Sequence, residues 1–370
     1  MEDLFRENVR FPISNAELER RWSEVRKAMA SQGIDSLVMQ NSNQFLGGYV
    51  RYFTDIPTEQ GYPVTVIFPA REEMTMISSG GKPLAAAPPD WAARGIKRKM
   101  GFPYFLSLNY TNTMDAEAAV ADIQARVDKR IGVVGKGFMS AAFYEYLKEN
   151  LAGVEIVDAT DLVDEIKAIK SPEEMHYIRK AAWIHDAAWA CIPALVRPGK
   201  KEYEIRSEIQ RILSDMGSEE QWIMMGSAPP NRLAGHKPTF FQNRTLQAGD
   251  QLMVMLEVNG PGGYYGEVGR TICLGEPPKA LLEGWEIAKE AQSRTAELLR
   301  PGARPADIFK AHNEFMESKG YPAEGRIYAH GQGYDLVERP AIRAEETMTI
   351  KANLLIAVHP LALSEKAYAF

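Results

Sequence analysis

The six histidines of the chain are told apart by their neighbours. His176, His185 and His312 lie in helix-patterned text, where a lone imidazole ordinarily serves packing or the surface. His236 follows the loop-like run Gly226-Ser227-Ala228-Pro229-Pro230-Asn231-Arg232-Leu233-Ala234-Gly235, and His330 heads His330-Gly331-Gln332-Gly333. Glycines let backbone come close to a ligand, and loops on rigid scaffolds carry much catalytic chemistry. His359 ends an apolar run and precedes Pro360, a place where an imidazole needs a hydrogen-bond partner or a metal. Two carboxylates accompany these three. Met255 to Thr271 reads as a strand, a Pro261-Gly262-Gly263 turn and a returning strand, a hairpin that brings Glu257 and Glu267 face to face with Arg270 as a neutralising neighbour. Glu257 closes an almost wholly apolar run and is costly to bury unpaired. Two carboxylates and three imidazoles in one cleft support two chemistries. They can hold one or two divalent metals that activate water, or hold a cationic substrate while a histidine moves the proton.

The elements that must position these groups are legible on both sides. Ser14 or Asn15 caps a helix whose Leu18, Trp22, Val25 and Met29 recur at helical spacing up to Gly33. Apolar strands follow at residues 36–39, 64–68 and 131–134, the last ahead of a helical stretch at 141–151; strands alternating with helices predict an α/β first domain. Ser171 before Pro172, Glu173 and Glu174 marks the start of a long helix, and the domain boundary falls just before it. Beyond it the text repeats itself. Arg197-Pro198-Gly199 is followed by Ile205 and Gly217, and Arg300-Pro301-Gly302 by Ile308 and Gly320 at the same offsets. Each copy reads helix, Pro-Gly turn, helix, and leads to an apolar strand, 251–257 in the first and 353–359 in the second. Two such halves can pack about a pseudo-twofold axis and bring their strand ends into one cleft.

Composition sets the frame. At 370 residues the chain exceeds what one core usually supports, and its 45% apolar and 25% charged residues are ordinary globular usage. A net charge of −6 without a run of Lys and Arg argues against a nucleic-acid partner. The text Met1-Glu2-Asp3-Leu4-Phe5-Arg6 is no signal-peptide start, and no segment reaches the length of a membrane span, so a cytoplasmic protein is the expectation. Cys191 and Cys273, far apart and without CxxC spacing, fit buried thiols in a reducing compartment.

Taken together these residues resemble the creatinase, aminopeptidase P and prolidase family, whose pita-bread fold is shared with methionine aminopeptidase. The resemblance covers nearly the whole chain. It rests on Ile169-Lys170-Ser171-Pro172-Glu173-Glu174, on Asn231 and His236, on Gly249-Asp250, on Glu267-Val268-Gly269-Arg270-Thr271, and on His330-Gly331-Gln332-Gly333. It implies a mixed α/β (α+β) protein with a creatinase-like N-terminal domain over residues 1–165. A pita-bread catalytic domain with an internal pseudo-twofold repeat follows over 166–370, its C-terminal end shortened. It also implies a hydrolase of a small-molecule or short-peptide substrate, and a homodimer.

Metal-dependent members carry two aspartates on the hairpin, a histidine in the HGxG segment and two later glutamates. In this sequence the first aspartate falls on Met255, with Glu257 two residues on and so on the same strand face. The second becomes Glu267, the first late glutamate becomes His359, and the last would lie beyond Phe370. The altered set is similar to that of creatinase, which hydrolyses a C–N bond without metal. On that resemblance His236 is the catalytic acid and base. Glu257 and Glu267 then face the cationic part of the substrate, and His330, His359, Arg270 and Tyr264 bind it. Trp222, Phe240 and Tyr264 wall the pocket, and no cofactor is required. The alternative is a metal-dependent Xaa-Pro peptidase-like hydrolase or lyase that binds Zn, Mn or Fe through Glu257, Glu267, His330 and His359. A third reading is a binding module that has lost catalysis.

Overall fold

A computed structural model describes residues 8–80 and 91–370; the N-terminal text Met1 to Arg6 discussed above lies outside them. The chain divides into two compact units, Met1–Lys167 and Ala168–Phe370. Among the described residues no helix is long and apolar enough to cross a membrane.

In the first unit helix α1 (Asn15–Gln32) starts where Ser14 accepts a hydrogen bond from Glu17 N and ends at Gly33. Strand β1 (Ser36–Asn41), α2 (Tyr49–Thr54), β2 (Val64–Pro69), β3 (Met74–Ser79), β4 (Ile96–Phe102), α3 (Met114–Arg126), β5 (Arg130–Val134), α4 (Ala141–Asn150), β6 (Glu155–Asp158) and α5 (Thr160–Lys167) follow. The strands form one sheet in the order β4-β3-β2-β1-β5-β6. Its centre is parallel between β1 and β5 and antiparallel between β1 and β2. Val38, Ile67, Val133, Ile123 and Phe143 meet in its core. Strand β4 escapes the sequence pattern because Lys97, Arg98 and Lys99 interrupt its apolar residues. At a sheet edge such charges are an advantage, since they discourage pairing with another chain.

The second unit opens with α6 (Pro172–Leu195), whose capping box joins Ser171 and Glu174 in both directions. Then come α7 (Glu202–Asp215), β7 (Gln221–Ala228), β8 (Gln251–Asn259), β9 (Tyr265–Cys273), α8 (Lys279–Leu298), α9 (Pro305–Ser318), β10 (Ala329–Gly331), β11 (Glu338–Ala341), β12 (Ile356–Val358), β13 (Ala362–Leu363) and β14 (Tyr368–Ala369). Helices α6 and α7 pack Ile184, Ile192, Ile205 and Ile209 against Leu252, Val254 and Leu256 of β8. Strands β7, β8 and β9 form an antiparallel sheet, and β11, β10 and β12 a smaller one. The second-half strand is shorter than its apolar run: Asn353 is left-handed at φ 65°, and only residues 356–358 pair with β10.

Candidate active site

The hairpin of β8 and β9 sets the first half of the site. Its register pairs Glu257 directly with Glu267, and β7 pairs Trp222 with Glu257, so these three side chains form a row across one face of the sheet. The row is written into the strands by their period of two: Leu256 and Val258 face the helices while Glu257 faces the other way. The second half comes from β10 and β12, where His330 pairs with Ala357 and His359 follows the last paired residue, Val358. The backbone of His359 is held on both sides, its N–H donating to Tyr328 O at 2.8 Å and its carbonyl accepting from Arg326 at 3.4 Å.

Glu267 is the meeting point. Its Oε2 lies 3.4 Å from His330 Nε2 and its Oε1 3.6 Å from His359 Nε2. One ligand atom from each of Glu267, His330 and His359 falls within 4.8 Å of the others. The two imidazoles meet edge to face with centroids 5.2 Å apart. Gln332 Nε2 donates to Glu267 Oε2 at 3.3 Å, and His330 Nδ1 lies 2.9 Å from Gly331 O. Burial and then the facing Glu267 charge push the Glu257 carboxyl up to about 8. Burial holds the His359 imidazole down to about 4 despite the neighbouring Glu267, which leaves it neutral at physiological pH.

These groups fit a divalent metal. Glu267 Oε1 and both ring nitrogens of His359 are buried without a hydrogen-bond partner, a costly arrangement unless a cation completes it. A carboxylate with two imidazoles is a donor set suited to zinc, manganese or iron. The carboxyl pair of Glu257 and Glu267 is likewise relieved by a positive charge beside it. A cavity of about 220 Å³ opens beside Glu267 and His359 and is lined also by Arg270, Trp285, Lys289 and Gln292. A larger cleft of about 510 Å³ lies in the first unit. There Asp122 is paired with Arg98 and Arg126.

The structure gathers four of the sequence candidates, Glu257, Glu267, His330 and His359, and puts Arg270 on the cavity wall with its guanidinium donating to Gly269 O at 2.6 Å. Others lie elsewhere. His236 is exposed on the β7–β8 connection and does not line the cavity. The ring of Tyr368 lies against Gly235 and that of Phe370 against Gly269 and His359. These rings join Met224, Met253 and Met255 in an apolar cluster. Tyr264 is fully buried; its hydroxyl donates to Glu174 Oε1 at 3.0 Å and its ring stacks on Tyr334, so it serves the core and the α6 cap rather than a substrate. Trp222 shares the Glu257 face but is 47% exposed, and Phe240 is 88% exposed. Sequence reading gave no role to Gln332, although it stands inside the His330-Gly331-Gln332-Gly333 run. It also passed over Trp285, Lys289 and Gln292, whose helical spacing on α8 marks only an amphipathic face.

A mixed-strand first unit and a duplicated second unit that converges on acidic and imidazole side chains define a creatinase- and peptidase-like architecture. Residues 176–369 match Metallopeptidase family M24 and residues 21–169 the Creatinase/Prolidase N-terminal domain. The chain belongs to metallopeptidase family M24, with the pita-bread fold. It is 24% identical over 379 residues to creatinase of Bacillus sp. (strain B-0618), covering 96% of this chain and 86% of that protein. It is 26% identical over 211 residues to the probable dipeptidase PepE of Mycobacterium tuberculosis, covering 56% of this chain. The match spans only 55% of PepE. The structure of the X-Pro aminopeptidase from Thermotoga maritima superposes with a TM-score of 0.75 at 17% identity, covering 93% of this chain and 91% of that one, a likeness of fold.

Proposed function

We propose that this chain is a hydrolase that cleaves a C–N bond in a small amide- or peptide-like substrate, with a divalent metal held by Glu267, His330 and His359. The reading is carried by the convergence of three ligand atoms within 4.8 Å, of which Glu267 Oε1 and His359 Nε2 are buried and lack hydrogen-bond partners. It takes the metal-dependent chemistry over the metal-free one because the histidine the latter needs, His236, is exposed and outside the cavity. Glu267, His330 and His359 would hold the metal, which when bound would supply Lewis-acid chemistry at the carbonyl and an activated water at neutral pH.

The chain's own residues do the rest. Glu257, opposite Glu267 on the hairpin, holds and moves the proton that passes from the attacking water to the leaving nitrogen. Arg270 orients the polar end of the substrate from the cavity wall, and Trp285 supplies an apolar surface beside it. His330 and His359 face Glu267 from the other side of the centre.

Elemental analysis of protein purified without chelator should find near-stoichiometric zinc, manganese or iron, and Glu267→Ala should lose both the metal and the turnover of Xaa-Pro dipeptides or small amides. Full activity in rigorously metal-free protein would sink this reading. Loss of that activity in His236→Gln would return the chemistry to the metal-free form.

A further inference from the structure

Glu267 carries two demands at once. It must face His330 and His359 with its carboxylate, and it must do so beside a second carboxyl, Glu257, in the next strand. A carboxylate on a strand can rotate about its terminal torsion, which is broad and shallow, so the strand alone does not fix which way its oxygens point. Something else has to hold them.

Gln332 is the group in contact. It is 2% exposed, and its Nε2 sits 3.3 Å from Glu267 Oε2 and 3.2 Å from Leu336 O. Both neighbours are acceptors only, and an amide NH₂ is the part of a glutamine side chain that offers two donors. The Leu336 carbonyl therefore settles the orientation of the amide independently of Glu267: Nε2, not Oε1, faces the carboxylate.

The backbone of Gln332 is itself fixed. Its N–H donates to Leu355 O at 3.2 Å, and the next residue, Gly333, accepts from Tyr265 N at 2.8 Å, which ties the loop to the strand that carries Glu267. Behind the loop, Lys170 and Glu338 form a buried ion pair at 3.0 Å. Gly333 makes room for it, since a Cβ there would come within 2.5 Å of Glu338 Oε1. Glu338 Oε1 also accepts from Asp335 N at 3.3 Å. The loop that bears Gln332 is thus anchored to β9, to the segment ahead of β12 and to Lys170.

We infer that Gln332 is the positioning residue for Glu267: its amide, clamped between the Leu336 carbonyl and Glu267 Oε2, sets the rotation of the carboxylate so that Oε1 is presented toward His359. The inference rests on the metal-site reading above. Gln332 touches neither metal nor substrate; it acts through Glu267, as outer hydrogen-bond partners of metal ligands do.

The test uses the full chain and metal binding rather than turnover alone. Gln332→Leu removes both donors and puts an apolar side chain of similar bulk in their place. Its affinity for Zn²⁺ or Co²⁺, measured by competition with a chromophoric chelator, should fall about 10- to 100-fold, with a changed Co²⁺ visible spectrum. Ser171→Ala, which removes the α6 cap that Ser171 forms with Glu174 at a cost of about 1 kcal/mol, should bind as the parent does. That control separates positioning from a general loss of stability. Should Gln332→Leu not fold, Gln332→Met carries the same test. Parent-like affinity and spectrum in the Gln332 variant, with metal bound by both proteins, would overturn the inference alone. Absence of metal binding in the parent would overturn the metal-site reading and this inference with it.

Discussion

In the first half of the second unit, α6 and α7 are joined through Gly199 and lead to β8; in the second half, α8 and α9 are joined through Gly302 and lead to β12. The supports are matched in detail. Helices α7 and α9 are each fourteen residues long, and Gly199 and Gly302 have φ of 89° and 92°. Gly199 N donates to Leu246 O at 2.8 Å, and Gly302 N to Ile350 O at 2.8 Å. Leu246 N and Ile350 N return the bond to Lys200 O and Ala303 O at 2.8 and 2.9 Å. The strands then part company. Strand β8 runs nine residues with partners on both sides, whereas β12 runs three and pairs with β10 alone. The long ladder delivers carboxylates whose facing is fixed by register; the short one delivers an imidazole whose place is fixed by Tyr328 and Arg326. Duplication supplied the support twice, and the chemistry was built separately on each copy.

The sharpest way to break this contrast is Glu257→Gln. If the end of β8 is shaped for chemistry and not for stability, neutralising Glu257 should cost on the order of 10²- to 10³-fold in kcat. The metal-free protein should at the same time melt higher at neutral pH, because a glutamine is free of the penalty that burial, and then the Glu267 charge, place on ionising Glu257. Lower stability together with unchanged kcat would place Glu257 among ordinary structural carboxyls, and the asymmetry of the two halves would then be one of length only.

A smaller effect tests the matched helices where they differ in kind. The offset that carries Gly199 to Gly302 carries Ile209 of α7 to His312 of α9. Ile209 is fully buried in an apolar cluster. His312 is also buried, stacked on Tyr328 at 3.7 Å, with neither ring nitrogen partnered, and burial holds its imidazole down to about 4. In the unfolded chain the same group takes a proton near its ordinary value of about 6.5. Above that pH both states are neutral and nothing is lost; as pH falls toward 4 the unfolded state alone binds the proton, and stability declines. His312→Ile should remove this slope. Relative to the parent it should gain about 2 kcal/mol at pH 5, and lie within about 1 kcal/mol of it at pH 8 once the lost ring stacking is counted. Parallel stability curves from pH 8 to pH 4.5 would show that the site tolerates the imidazolium.

The same contrast explains what the sequence disclosed. Caps at Ser14 and Ser171, the hairpin that pairs Glu257 with Glu267, and the repeated Arg-Pro-Gly offsets are local or periodic signals, and each corresponds to an element of the fold. Glu267, His330 and His359 could be gathered because each ends or interrupts a recognisable run. His236 looked equivalent on the same grounds, but it stands exposed on a connection whose Gly235 meets the ring of Tyr368, a residue more than a hundred positions away, and it does not line the cavity. The cavity face of α8 was hidden for the opposite reason. Trp285, Lys289 and Gln292 obey helical spacing so plainly that nothing in the text distinguishes a wall of a cavity from a solvated face. Gln332 was in view but mute, since a glutamine announces a donor only when its acceptors are known.

The finest test of the repeat lies at its two turns. Gly199 and Gly302 adopt left-handed backbone, and a Cβ added at either would meet no atom within 4 Å. An alanine there would therefore pay in backbone conformation alone, about 1 to 2 kcal/mol, without a packing term to blur the result. Because each glycine also donates the bond that ties its turn to the following segment, the cost should be retained in the folded state and not relieved by local rearrangement. Gly199→Ala and Gly302→Ala should lower the melting temperature by a few degrees each, by amounts equal to within about 0.5 kcal/mol, and the double variant should show the sum, since the two turns share no partner. Markedly unequal losses would mean that one half of the unit leans on its turn more than the other, and that the likeness of the two supports ends at their geometry.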